Sequence, residues 1–183
     1  MIITISGTPG SGKSTIAEGI AKELGIKVYS IGDILRKIAE KKGISLIELN
    51  KKAEEDEEID KHLDQELMKL VETEKNIVIS TRTGFYFLPK SIKIFVKCDL
   101  KTAAERIMKD VKEEKRKTES EIKKMVGMMK LINNRQESER KRYKKYYDID
   151  FLDETNYDFV LDTTNINAEE AINEVVEYVN GLS

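Results

Sequence analysis

The sequence predicts an α/β fold, a parallel sheet wrapped by helices. The opening residues carry most of that prediction: the β-branched run Ile2-Ile3-Thr4-Ile5-Ser6 ends in a glycine-rich turn and passes into a stretch of helical periodicity. Further strand-like runs at Lys27-Val28-Tyr29, Ile77-Val78-Ile79, residues 92–96 and 158–162 alternate with helical stretches, as a parallel sheet requires.

Each element has its own signal. Ile16, Ile20 and Leu24 recur at i, i+4 and i+8 beside Ala17 and Ala21, and Gly25 offers a left-handed stop. A second helix over 33–42 stops at Gly43, and Ser45 with Glu48 forms a capping box for the next. Leu63, Leu67, Leu70 and Val71 mark another helix before the strand at Ile77, and Asn167 caps a last one carrying Ile172, Val175, Val176 and Val179. Two regions, 31–73 and 110–147, are too polar to read as core layers and are expected as mobile attachments, a helical insertion and a charged lid.

At 183 residues the chain has the size of one domain that needs no disulfide or structural metal. Lys plus Arg total 32 against 34 Asp plus Glu, a net charge of -2, so no global field attracts nucleic acid or anionic lipid and phosphate binding must be local. Cys98 has no intramolecular partner and follows Ile94-Phe95-Val96, which reads as a buried thiol in a reducing compartment. No apolar run reaches a membrane span and the first residues carry no leader pattern, so a monomeric cytoplasmic protein is expected, with no nucleic-acid or membrane partner.

The segment Gly7-Thr8-Pro9-Gly10-Ser11-Gly12-Lys13-Ser14 fits G-x-x-x-x-G-K-[ST] and lies between a strand and a helix, the context this phosphate-binding loop requires. Gly7, Gly10 and Gly12 allow positive φ, so successive N–H groups converge on phosphate oxygens at a helix N-terminus. Lys13 reaches the β- and γ-phosphates of ATP, Ser14 offers a hydroxyl to Mg²⁺, and Thr15 a further donor. A guanine-specific switch would also need Asn-Lys-x-Asp, and the nearest string, Asn50-Lys51-Lys52-Ala53, lacks the acid.

Arginines separate a phosphotransferase from a generic ATPase, because a dianionic acceptor held in line with ATP needs several converging cations and the guanidinium fork binds phosphate bidentately. Ser30-Ile31-Gly32-Asp33-Ile34-Leu35-Arg36 places Arg36 one turn beyond the second strand, and Arg82 follows the third, at the sheet edge where α/β folds bind ligands. Downstream, Arg135, Glu139 and Arg142 share a helix face at i, i+4, i+7, whereas Arg140 and Lys141 read as a solvated face. Asp60, Asp64 and Gln65 could read a base but fit an acid-rich solvent face better, and His62 reads as a surface residue. Met125, Met128, Met129, Leu131 and Ile132 form an apolar stripe expected to pack the lid on the body. Tyr143, Tyr146 and Tyr147 make an amphipathic docking surface.

Together the loop at 7–14, Ser30-Ile31-Gly32-Asp33 with Arg36, Arg82, Ala104-Glu105-Arg106-Ile107, the stretch 135–143, Tyr147-Asp148-Ile149-Asp150 and the closing strand 157–163 resemble the cytidylate kinase family. The likeness is closer to its short archaeal-type branch of the P-loop nucleoside monophosphate kinases. That resemblance implies a P-loop NTPase fold with a five-stranded parallel sheet. In the division it implies, 1–30, 74–109 and 148–183 form the core, 31–73 the acceptor-binding insertion and 110–147 the lid. It implies transfer of the γ-phosphoryl group of ATP to CMP or dCMP with Mg²⁺. Arg36, Arg82 and Arg142 would hold the acceptor phosphate with Ser30 and Gly32 alongside, Arg135 and Glu139 would face sugar and phosphate, and Arg106 would lie by the ATP phosphates or adenine. Lys13, Arg82, Arg106 and Arg135 would carry catalysis.

The pattern breaks at Ser80-Thr81, where members usually carry an acidic residue and Gly before the arginine, so either Ser80 binds the metal more weakly or the job falls to another residue such as Asp99. Thr83 stands where the bacterial form offers an acid, and Glu139 replaces what is often Asp. Alternatives are a kinase for another nucleotide or small metabolite, and an ATP-binding regulatory protein without transfer activity.

Overall fold

In the computed structural model, which describes residues 1–113 and 124–182, five strands form one parallel sheet. They are β1 (Ile2–Gly7), β2 (Lys27–Ser30), β3 (Ile77–Ser80), β4 (Ile92–Lys97) and β5 (Phe159–Asp162), in the order β2-β3-β1-β4-β5. β1 is central, pairing Ile3 with Val78 on one side and with Ile92 on the other. It is flanked by strands on both edges, so a continuous β-branched run suits it better than alternation.

Helix α1 (Lys13–Leu24) follows β1 and ends at Gly25, whose φ of 64° and amide bonds to Ala21 and Lys22 carbonyls form the expected left-handed cap. Its partner α8 (Ala168–Asn180) starts with a capping box between Asn167 and Glu170. The two helices touch at Gly19, where a Cβ would come within 2.2 Å of Ile172 Cδ1. Ile16, Ile20, Val175 and Val179 close with Ile3, Ile5, Ile94 and Val96 into the core on this face.

The segment after β2 forms α2 (Ile31–Lys42), α3 (Leu46–Glu55) and α4 (Glu58–Thr73), with Ser45 and Glu48 making the capping box that opens α3. Its expected exclusion from the core is corrected. Ile31, Leu35, Ala39, Leu46, Leu49, Leu63 and Leu67 pack with Ile77, Ile79 and Leu88 as the core on the second face of the sheet. The polar average of 31–73 concealed narrow apolar stripes, and a stripe suffices to bury one side of a helix.

A short α5 (Gly84–Phe87) follows β3, α6 (Leu100–Lys112) follows β4, and α7 (Met125–Tyr147) runs 23 residues to β5's approach. Of the expected lid, residues 114–123 lie outside the described ones. The methionine stripe packs as expected: Met128, Leu131 and Ile132 are buried against Ala103, Ala104 and Ile107, with Met125 and Met129 beside them. Cys98 is half-buried against this cluster, a correction to full burial, because it falls just past the buried end of β4. Among the described residues no helix is long and apolar enough to cross a membrane.

Candidate active site

The carboxyl ends of β1, β3 and β5 open on a cleft of about 400 Å³, lined by residues 9–16 of the phosphate loop and α1, by Ser30, Gly32 and Arg36, and by Arg82, Arg106, Arg135 and Glu139. This is the edge where strand carbonyls end and helix N-termini begin. The loop is shaped by backbone conformations that other residues resist: φ is 140° at Gly7, 79° at Gly10 and 88° at Gly12. At Gly7 the crowding is acute, since a Cβ would sit 1.8 Å from the Val96 carbonyl oxygen. Gly7 and Thr8 lie behind the cleft wall, tying the loop to β4 by the bond from Thr8 N to Val96 O at 3.1 Å. Pro9 to Thr15 form the lining itself. Lys13 arches back over the loop, donating from Nζ to the Thr8 carbonyl, and Ser14 and Thr15 open α1 beside it.

Across the cleft, one carboxylate gathers two guanidiniums. Glu139, 2% exposed, accepts from Arg82 Nε at 2.8 Å and from Arg135 Nε at 2.9 Å. Burial pushes the Glu139 carboxyl up, but Arg82 and Arg135 beside it prevail and hold it well below the usual carboxylate range. Arg82 comes from the end of β3 and Arg135 from mid-α7, so the pairing links sheet and helix. Arg36, in the second turn of α2, bonds Asp33 one turn back on its own helix. Ser30 caps that helix, accepting from Asp33 N at 3.2 Å. Arg106 on α6 donates to the Thr163 hydroxyl at 2.9 Å and to its carbonyl at 2.7 Å, and Thr163 in turn donates to the Ser11 carbonyl. That chain links α6, the end of β5 and the phosphate loop.

Arg142 departs from its expected role. It is 1% exposed, does not line the cleft, and its fork is committed to Asp60 Oδ2 at 2.8 Å and Oδ1 at 3.3 Å, to both oxygens of Asn50 and to Ser138. Three residues past Glu139, its side chain falls on the flank of α7 that meets α3 and α4, not the flank that meets the cleft. Asp60 is pushed up to about 6 by burial, against which the Arg142 guanidinium pulls.

The sequence reading missed the acids of α4. Asp60 and Asp64 are not a solvated face: they are 2% and 9% exposed and both line the cleft, while Gln65 and His62 are exposed. Asp64 accepts from the Thr83 hydroxyl at 2.9 Å and from the Tyr147 hydroxyl. Burial raises its carboxyl, with the two hydroxyls pulling it down. The available signal was spacing: Asp60, Leu63, Asp64 and Leu67 lie at i, i+3, i+4 and i+7, one buried stripe. Tyr143, Tyr146 and Tyr147 dock within the chain; Tyr146 donates to the Ala53 carbonyl at 2.9 Å.

Asp99 does not reach the cleft. It is exposed and caps α6, accepting from Thr102 N at 2.9 Å. Ser80 is buried and lines the cleft near Ser14. Among the described residues no group of three or more His, Cys, Asp or Glu is placed to cage a metal. A divalent ion here fits as a companion of nucleotide phosphates held by the Ser14 hydroxyl, the mode Mg²⁺ favours.

Compared with known proteins, the chain matches the model of the cytidylate kinase-like family over residues 2–165. It is 39% identical over 182 residues to a cytidylate kinase of Sulfurisphaera tokodaii, covering 98% of this chain and 96% of that protein. It is 34% identical to a cytidylate kinase of Archaeoglobus fulgidus, covering 98% and 94%. Among solved structures, an uncharacterised protein of Eubacterium ventriosum superposes with a TM-score of 0.70 at 20% identity, and a shikimate kinase of Bacteroides thetaiotaomicron with 0.67 at 15%, each covering 98% of both chains. At those identities the structural likeness speaks to the fold, a P-loop kinase fold.

Proposed function

The chain belongs to the cytidylate kinase-like family, and from that premise we propose that it transfers the γ-phosphoryl group of ATP to CMP or dCMP, yielding ADP and CDP or dCDP. One observation carries the reading: the amide cradle with Lys13 and the guanidiniums of Arg36, Arg82 and Arg135, drawn from segments far apart in sequence, line a single cleft. A triphosphate and a second phosphate brought there would meet end to end.

In this reading an oxygen of the acceptor phosphate attacks the γ-phosphorus as the bond to the β–γ bridging oxygen breaks, and the electron pair leaves on ADP. The nucleophile is already an anion, so no side chain needs to remove a proton; the protein positions the reactants and neutralises spreading charge. Lys13 and the amides of residues 9–15 hold the donor. Arg36 and the outer groups of Arg82 hold the acceptor phosphate with Ser30 and Gly32 at its side, and Arg135 and Arg106 answer the charge of the transferred group. Mg²⁺, held by Ser14 and the phosphates, supplies further neutralisation when bound. Glu139 and Arg142 act by positioning: Glu139 yokes Arg82 to Arg135, and Arg142 fixes Asp60 in the wall. Residues 31–73 serve as the acceptor-binding insertion and 110–147 as the lid, and the enzyme works as a cytoplasmic monomer on free nucleotides, with no nucleic-acid or membrane partner.

The test is a coupled assay of ADP formation with CMP, dCMP, UMP, AMP and small alcohols as acceptors. CMP- or dCMP-dependent turnover that requires Mg²⁺ is expected. Failure to form any phosphorylated pyrimidine nucleotide at every Mg²⁺ concentration would remove the assignment.

A further inference from the structure

Arg82 is held from two directions. Glu139 takes its Nε at 2.8 Å, which fixes one edge of the guanidinium. A bond at one edge leaves the plane of the group free to turn about that bond, so a second contact must decide which way the outer nitrogens face. Phe151 supplies it: Arg82 Cζ lies 5.4 Å from the centroid of its ring, within reach of a cation–π contact. Phe151 is fully buried and does not line the cleft, whereas Arg82 does, so the ring meets the arginine and not a nucleotide.

The segment that carries this ring is braced from several sides. Asp148 ends α7 in the left-handed region, at a φ of 57°, and turns the chain off the helix. Asp150 accepts from Arg140 Nε and Nη2 at 2.9 and 2.6 Å and from the Leu152 amide at 3.1 Å. Its carbonyl accepts from Asn156 Nδ2 at 3.3 Å, and the Phe151 carbonyl accepts from the Tyr157 hydroxyl at 2.7 Å. Tyr143 packs edge-on to the ring, with centroids 5.7 Å apart and planes at 83°. An aliphatic side chain of similar volume would fill the same space, so packing alone does not call for an aromatic face under a cation. Resting on the acceptor assignment made above, we infer that Phe151 is a positioning residue for phosphoryl transfer: the face of its ring sets the plane of the Arg82 guanidinium. With Glu139 at one edge and Phe151 beneath, Nη1 and Nη2 stay turned toward the phosphates and meet developing charge without reorganising.

The experiment replaces Phe151 by mono-, di- and trifluorophenylalanine in the full chain and measures kcat/KM for CMP at saturating ATP, the KM for ATP and the melting temperature. Ring fluorination keeps the shape and apolar character close to those of the parent while draining the negative face, so a packing role would leave turnover unmoved. The kcat/KM for CMP is expected to fall stepwise with each fluorine, by about three- to tenfold for the trifluoro ring, with the KM for ATP unchanged. Phe151→Leu, which removes the face altogether, should lose about 5- to 30-fold. Values within twofold of the parent across the folded fluorinated series would overturn this inference alone, and so would an equal rise in the KM for ATP, the mark of a general loosening of the cleft. Should Phe151→Leu fail to fold, the fluorinated series decides. A parent chain that phosphorylates neither CMP nor dCMP would instead fell the proposed function, and this inference with it.

Discussion

Replacing Glu139 by Gln tests the bridge between the two halves of the cleft. The carboxylate holds Arg82 and Arg135 by charge-assisted bonds of 2.8 and 2.9 Å in a buried setting. An amide of the same shape removes the negative charge that the two guanidiniums share. Breaking a buried ion pair by removing one partner costs about 3–5 kcal/mol. Both arginine side chains keep some contact with the cleft, at 11% and 13% exposure, so the lower end, ~3 kcal/mol, is expected. At roughly 2–4 °C per kcal/mol for a chain of this size, the melting temperature should fall by about 6–12 °C. The measurement is reversible unfolding followed by circular dichroism. Because folding lowers the Glu139 pKa, its contribution is present above about pH 4.5, the ordinary carboxyl value, and is lost on acidification; the variant should lack that acid limb. Inorganic phosphate should raise the melting temperature of Glu139→Gln more than that of the parent, since an added anion replaces the missing charge. A loss under about 1 kcal/mol, or an equal phosphate response in both proteins, would refute the bridge.

Four other outcomes follow from the geometry. Lys13→Ala should lower turnover at least ~100-fold while the protein stays folded, as for loss of one preorganised donor; near-normal turnover would remove Lys13 from the transition state. Arg36→Ala should raise the KM for the acceptor and leave that for ATP unchanged, and the reverse would exchange the two ends of the cleft. Gly7→Ala forces a Cβ into the Val96 carbonyl at a φ of 140°, so a loss of at least ~3 kcal/mol is expected in urea unfolding; Gly25→Ala, with nothing within 4 Å, should lose only about 1 kcal/mol. Asp60 has its pKa raised on folding to about 6, so its stabilising share is complete below about pH 3.8 and shrinks by roughly 3 kcal/mol as pH rises through 6. Asp60→Asn should be less stable overall yet show a flatter profile between pH 4 and 7, and an unchanged slope would contradict the burial argument.

The phosphate loop was legible in the residues because its chemistry is local: three glycines, a lysine and a hydroxyl inside one turn, between a strand and a helix that sequence periodicity already marks. Caps were legible for the same reason, Ser45 with Glu48 and Asn167 with Glu170 each satisfying a helix end within four residues. The strand order was not derivable from the residues, since β1 carries no local sign that it stands between β3 and β4. Charged side chains were hardest. Arg140 and Arg142 are two residues apart, yet Arg140 reaches the exposed Asp150 pairing while Arg142 is sealed against Asp60 and Asn50. Which of two arginines enters the protein depends on what α3 and α4 present opposite α7, and that is a tertiary fact. Asp60 and Asp64 were assigned to solvent for the converse reason: an acid is costly to bury alone, and the partners that make burial tolerable lie about 80 residues further along the chain.

Helix α7 spans 23 residues, about 34 Å of rigid rod. Its first turns are seated on α6 through Met128 and Ile132, and its last turns are latched to α3 and α4 through Arg142, Tyr146 and Tyr147. Such a strut cannot let the acceptor side swing independently of the donor side: a displacement of α3 and α4 must either tilt the whole rod about its methionine seat or unfasten Arg142 from Asn50 and Asp60. Arg135, between those two anchorages, moves with the tilt, so the opening and shutting of one wall is geared to the position of a cation beside the other.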